Sequence, residues 1–139
     1  MRTLLTNYRN IRAAVNMHAW GPLFITPFNF ANKQNKLLHQ DFHKAQTFYE
    51  NVFEHAEPLG YSLGNGAITI GYTANGEASD WMLGERGVYA ISPELGTTSH
   101  SSETFFIKSE HALKKVLVEN YDWLEKLMAR FFPLLAISH

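Results

Sequence analysis

The chain has 139 residues, of which 45% are hydrophobic and 14% aromatic, enough apolar material for one core and no more than one domain. Twelve Lys and Arg against thirteen Asp and Glu leave a net charge of -1, and no basic block of the kind that phosphate backbones select is present, so nucleic acid is not an expected partner. The absence of cysteine excludes disulfides, thiolate metal sites and thiol nucleophiles, leaving His and carboxylates as the only strong metal ligands.

The first ten residues hold Arg2, Asn7, Tyr8, Arg9 and Asn10, too polar for a signal-peptide core. Ile11 to Met17, IRAAVNM, suits a buried strand that delivers His18 to a loop. Trp20 to Asn35 carries Gly21, Pro22 and Pro27 among aromatics and reads as an ordered loop. From Leu37 to Ala56 apolar residues recur at three- and four-residue steps, predicting an amphipathic helix closed by Pro58 and Gly60.

Five glycines between Gly60 and Gly76 predict a second, mobile loop, interrupted only over Ala67 to Ile70. Gly87 to Leu95, GVYAISPEL, is rich in strand formers and delivers Glu94 to its end; Pro93 removes one ladder donor, so pairing there is expected to be one-sided or finished. A last helix is expected from Ser109 as N-cap through Met128. Phe131 to Ile137 is too short to span a bilayer. Alternating helices and strands give an α/β fold class.

A histidine and a glutamate at two strand ends are by themselves as compatible with structural roles as with a site. Two stretches add specificity: VNMHAWGPLFITPF, from Val15 to Phe28, and YTANGEASDWMLGERGVYAISPELG, from Tyr72 to Gly96. Together they resemble the zinc metallocarboxypeptidases of the carboxypeptidase A type. In that family a strand ends in a zinc-ligand histidine, a tyrosine precedes an Asp-aromatic pair, and a strand ends in Glu-Leu. Here 54 residues separate His18 from Tyr72, 8 separate Tyr72 from Asp80, and 14 separate Asp80 from Glu94.

The resemblance covers about Tyr8 to Leu127 and implies the C-terminal portion of a mixed-sheet carboxypeptidase-like domain with helices packed on the sheet, spanning residues 1–139. It implies that His18 is a zinc ligand and Glu94 the general base, and that Tyr72 closes over substrate. It further implies that Ala19 and Trp20 line a subsite and that Ser79 sits where preference for the substrate's last side chain is set. The substrate so implied is a peptide or protein C-terminus, and non-proline cis peptides are implied after His18 and near Pro27.

The family's other two zinc ligands form a His-x-x-Glu motif upstream of the last ligand, yet Met1 to Met17 contains neither His nor Glu. One zinc ligand is thus expected from this chain, the rest from a missing N-terminal half, an N-terminal fragment or another subunit. The pair His100 and Glu103 lies on the wrong side of Glu94, and His39 and His43, one helical turn apart, lack the glutamate of a zincin; both pairs read as surface residues. The alternative is a catalytically inactive relative acting as a scaffold or binding partner.

Overall fold

The computed structural model describes residues 1–30, 43–96, 107 and 109–131. The elements in chain order are helix α1 (Arg2–Asn7), strands β1 (Ala13–Val15) and β2 (Leu23–Ile25), helix α2 (His43–Ala56) with a 3₁₀ turn (Glu57–Leu59), strand β3 (Ser62–Gly64), helices α3 (Gly66–Thr69) and α4 (Ala78–Arg86), strand β4 (Tyr89–Glu94) and helix α5 (Glu110–Phe131).

The strands form one mixed sheet in the order β1-β4-β2-β3. β1 runs parallel to β4, β2 antiparallel to β4, and β3 parallel to β2. β4 is therefore the strand through which both halves of the sheet are joined. Successive residues of a strand point to opposite faces: Ile91 joins the larger apolar cluster, with Phe24, Phe48, Val52, Trp123 and Leu127, whereas Ala90 joins a smaller one with Leu5, Met82 and Val88. Helices thus cover both faces, α2 and α5 on one, α1 and much of α4 on the other.

The long elements follow the sequence closely. On α2 the buried residues Ala45, Phe48, Tyr49, Val52 and Ala56 keep the three-to-four step of a helix face; residues 37–42 of the expected helix lie outside the described residues, as do His39, His100 and Glu103 and the side chain of His43. At the start of α5, Ser109 caps as expected, its Oγ accepting from Ala112 N at 3.4 Å. No helix among the described residues is long and apolar enough to cross a membrane.

Two expectations need correction. The stretch from Trp20 is not all loop, because Leu23–Ile25 forms a ladder with β4 on one side and β3 on the other. A strand of three residues, set between Pro22 and Pro27, is too short to display a strand period, and the flanking turn residues dominate the pattern. Likewise Gly60 to Gly76 contains β3 and α3; Asn65 starts α3, its Oδ1 accepting from Ile68 N at 3.3 Å.

The larger cluster is keyed by Trp123, whose ring lies 4.6 Å from that of Phe24 at 56° and whose Nε1 donates to Val52 O at 3.4 Å. Trp123→Ala removes this wedge between α5, α2 and the sheet, and is expected to cost about 3–5 kcal/mol. A lowered denaturant midpoint with an unchanged slope would show it.

Candidate active site

Two strand ends build the site. β1 pairs with β4 from Ala13 opposite Tyr89 to Val15 opposite Ile91, and the ladder then breaks. It resumes as a single parallel bridge between His18 and Glu94. His18 stands five residues beyond Ala13 and Glu94 five beyond Tyr89, so the register is kept across the gap.

The break has a cause in Pro93. Its carbonyl accepts from His18 N at 2.9 Å, so its ring nitrogen, which has no hydrogen to give, faces the same side. The expectation of one-sided pairing holds in this local sense only, since β4 is bonded on both sides and Pro93 faces Phe24 across the antiparallel ladder. Asn16 N still donates to Ile91 O at 2.9 Å, so the chain stays beside β4 and only the bond that Pro93 cannot donate is missing before His18, whose carbonyl accepts from Leu95 N at 2.9 Å.

Close backbone packing holds the segment that follows His18 against the end of β4. A Cβ on Gly96 would sit 3.1 Å from Gly21 N and C, so only glycine admits this approach. Paired residues on neighbouring strands project to one side of the sheet, and His18 and Glu94 therefore share an opening.

On the histidine, Nε2 lies 2.7 Å from Asn16 Nδ2. No hydrogen bond among the described residues engages Nδ1, and the orientation of the Asn16 amide decides which ring nitrogen keeps its lone pair. On the glutamate, Oε2 is buried without a hydrogen-bond partner among the described residues. Burial pushes the Glu94 carboxyl up, the Glu77 carboxylate adds to the rise, and the His18 ring opposes it.

A second cluster braces the same region. Asn29 is buried, and its backbone N meets both Asp80 oxygens, at 2.9 and 2.8 Å, while its Nδ2 donates to Asp80 Oδ1 at 3.1 Å. Asn29 Oδ1 accepts from Gly66 N at 2.7 Å, and its carbonyl from Ala74 N at 2.9 Å. One residue, through its backbone and side chain together, thereby ties the turn after β2 to α3, to the loop carrying Tyr72 and to the first turn of α4. Burial pushes the Asp80 carboxyl up, countered by the N–H groups of Asn29 and Phe30.

Tyr72 itself is 63% exposed between Gly71 and Gly76, both at positive φ, and no hydrogen bond among the described residues engages its phenol. Ala19 and Trp20 follow His18 on the exposed side. Ser79 is wholly buried, with Asn29 Nδ2 3.5 Å from its Oγ. One cis peptide is present among the described residues, Pro27–Phe28, as expected near Pro27; the bond after His18 is not cis, contrary to the expectation there.

A family model, described as zinc carboxypeptidase, matches residues 1–122. The chain belongs to the zinc carboxypeptidase family. Among solved structures it is similar to bovine thrombin-activatable fibrinolysis inhibitor, determined in complex with tick carboxypeptidase inhibitor, with a TM-score of 0.65 and 18% identity, over 93% of this chain and 42% of that one. At that identity the likeness is one of fold, and the chain spans less than half the length of that solved relative. No curated protein sequence matches the chain.

The family is zinc-dependent, and the donor set can be tested against that metal. Among the described residues one His18 ring nitrogen and one Glu94 oxygen have no hydrogen-bond partner, which fits one ligand and one neighbouring base. A zinc site needs three protein ligands, and among the described residues no group of three or more His, Cys, Asp or Glu could hold an ion. The described residues thus offer one candidate ligand and not a complete zinc site.

Sequence reading missed Asn16 and Asn29. An asparagine two residues before a strand-end histidine has the reach to orient its ring, a signal that was legible. Asn29 gave none, because its partners lie 37 to 51 residues away.

Asp80→Asn would set an amide NH₂ against one of the N–H groups that now point at a carboxylate oxygen, and is expected to destabilise by about 1–3 kcal/mol; a lowered Tm at unchanged secondary structure checks this. Glu94 carries the opposite sign. A carboxyl raised in the folded state costs stability as pH climbs from the ordinary carboxyl range through the raised value. With zinc chelated, Glu94→Gln should remove that loss and leave the protein as stable as the parent or, at neutral pH, slightly more so, by less than about 1 kcal/mol after solvent screening. Parallel thermal melts across the carboxyl range test the sign.

Proposed function

We propose that this chain supplies the C-terminal part of the active centre of a zinc-dependent metallocarboxypeptidase that removes C-terminal amino acids from peptides or proteins. The observation that carries the reading is the bridge between His18 and Glu94 at one register, with a buried Glu94 oxygen and a His18 ring nitrogen that have no hydrogen-bond partner among the described residues. Membership of the zinc carboxypeptidase family supports it.

Zinc, when bound, acidifies a water and polarises the scissile carbonyl. His18 is one of its ligands, and the others come from residues outside 1–139. Asn16 holds the far nitrogen of the His18 ring: with its amide oxygen turned inward, Nε2–H donates to it and Nδ1 is the ligating atom. That orientation is the ring's preparation for metal.

Glu94 is the general base. Its raised proton affinity, set chiefly by burial, suits a group that takes a proton from the attacking water and gives it to the leaving amine. Tyr72, on a loop hinged at Gly71 and Gly76, folds over the bound substrate and excludes water. Trp20 and Ala19 flank the entrance, and Ser79 lies at the depth where the last side chain of the substrate ends. An inactive scaffold has no use for the orphaned Glu94 oxygen, whose burial costs free energy.

In the zinc-loaded protein, assayed together with whatever segment completes the metal site, Glu94→Gln should lower kcat on a blocked dipeptide by on the order of 10²–10⁴ while zinc content stays constant. His18→Ala should lower zinc content itself. A Glu94→Gln protein that still hydrolyses at the parent rate would end this reading.

A further inference from the structure

The chain contains two Asn-Gly pairs, Asn65–Gly66 and Asn75–Gly76. Such a pair carries an internal reaction: the backbone nitrogen of the glycine can attack the side-chain amide carbon of the asparagine, because glycine has no Cβ to obstruct the approach. In a folded chain the outcome depends on whether those two groups are held apart or left to move.

The first pair is locked. Asn65 is 1% exposed, its Nδ2 donates to Phe28 O at 3.1 Å, and its Oδ1 accepts from Ile68 N at 3.3 Å. Gly66 N, which would be the attacking atom, donates to Asn29 Oδ1 at 2.7 Å, and the residue opens helix α3. A Cβ on Gly66 would stand 3.0 Å from Tyr72 O and 3.3 Å from Asn29 Oδ1, so the backbone there has little room to turn.

The second pair is in the opposite state. Ala74 N donates to Asn29 O at 2.9 Å, and the next backbone bond along the chain is that of Trp81 N to Glu77 O at 3.3 Å. Between these ties Asn75 and Gly76 are exposed, and no hydrogen bond among the described residues engages the Asn75 amide or Gly76 N. Gly76 has φ +82, with nothing within 4 Å of where a Cβ would stand. Small, exposed and untied residues at a loop tip are the ones whose backbone moves most readily.

We propose that Asn75 is a self-modification site, at which Gly76 N attacks Asn75 Cγ and converts the Tyr72 loop into a more acidic form. In the first step the N–Cγ bond forms, the Cγ–Nδ2 bond breaks, and Nδ2 leaves as ammonia with the proton given up by Gly76 N. Water then opens the cyclic imide at one of its carbonyls. Opening at Cγ leaves aspartate; opening at the Asn75 carbonyl carbon leaves isoaspartate, whose main chain runs through the former side chain and is one carbon longer. Either product places a new negative charge three residues from Tyr72 and two from Glu77. Neither reacting atom belongs to the Asn29–Asp80 network, so the loop changes while the brace beneath it stays. The inference does not depend on the exopeptidase reading.

The test compares the whole folded protein with a sample in denaturing urea, both kept in mildly alkaline buffer long enough to convert both sites in urea, then digested and mapped by mass. The folded sample should gain about 1 Da at Asn75, at a rate at least about ten times that at Asn65, whose hydrogen bonds must open first. Isoaspartate at position 75, labelled by an isoaspartyl methyltransferase, separates the imide route from direct hydrolysis of the side-chain amide, which yields aspartate alone. Asn75→Gln, at an exposed position without partners among the described residues, should match the parent in thermal melts and lose the modification. An Asn75 that stays intact in the folded protein, that reacts no faster than Asn65, or that yields aspartate without isoaspartate overturns the inference.

Discussion

One register, kept across an interruption, organises this molecule. β1 and β4 pair for three residues, lose a bond at Pro93, and meet again five residues along with the same offset. The candidate site lies where a single ladder bond is missing and the next is restored. Pro93 accounts for the missing bond by withholding a donor, and the backbone bonds of His18 to Pro93 and Leu95 restore the ladder. Asn16 stays bonded to Ile91 O through its backbone, and two residues before His18 on an extended segment it lies on the same side as the His18 ring.

The strand end would be slack without a brace behind it. Asp80 gathers three N–H groups from Asn29 and Phe30, while Asn29 reaches Gly66 and Ala74. Because α4 starts at Ala78 and runs directly back into β4, fixing its first turn also fixes the level at which Glu94 ends. A carboxylate held by several charge-assisted bonds is a strong tie, and it lies on the same short path that links the Tyr72 loop to the strand end. Rigidity at the base and freedom at the Tyr72 phenol are thus consequences of one network.

How much of this was legible in the sequence depended on the range of the interactions involved. α2, α5 and β4 could be read because periodicity and capping are local: Phe48, Tyr49 and Val52 announce a face, and Ser109 announces a start. β2 and β3 could not, since three-residue strands owe their existence to neighbours far along the chain, and Pro and Gly around them mimic a loop. Periodicity also overstated burial on α5, where Leu113, Leu117 and Met128 belong to the apolar pattern yet remain exposed. His18 and Glu94 were legible only through their spacing to Tyr72 and Asp80; that they pair at all follows from a parallel register, which no local signal carries.

The distribution of satisfied and unsatisfied polar groups separates scaffold from site. Asn29, Asn65 and Asp80 spend their hydrogen-bonding capacity within the chain, as buried polar groups in a folded core must. Ser92 Oγ and Glu94 Oε2, two residues apart on one face of one strand, do not. Orphaned atoms scattered through a structure would indicate poor packing, and Asn120 Oδ1, whose amide nitrogen is bonded twice, is an isolated instance on α5. A pair aligned in this way, beside a histidine with a ring nitrogen that has no hydrogen-bond partner among the described residues, is a different matter. Their desolvation costs free energy unless a partner beyond the described residues completes the bonding.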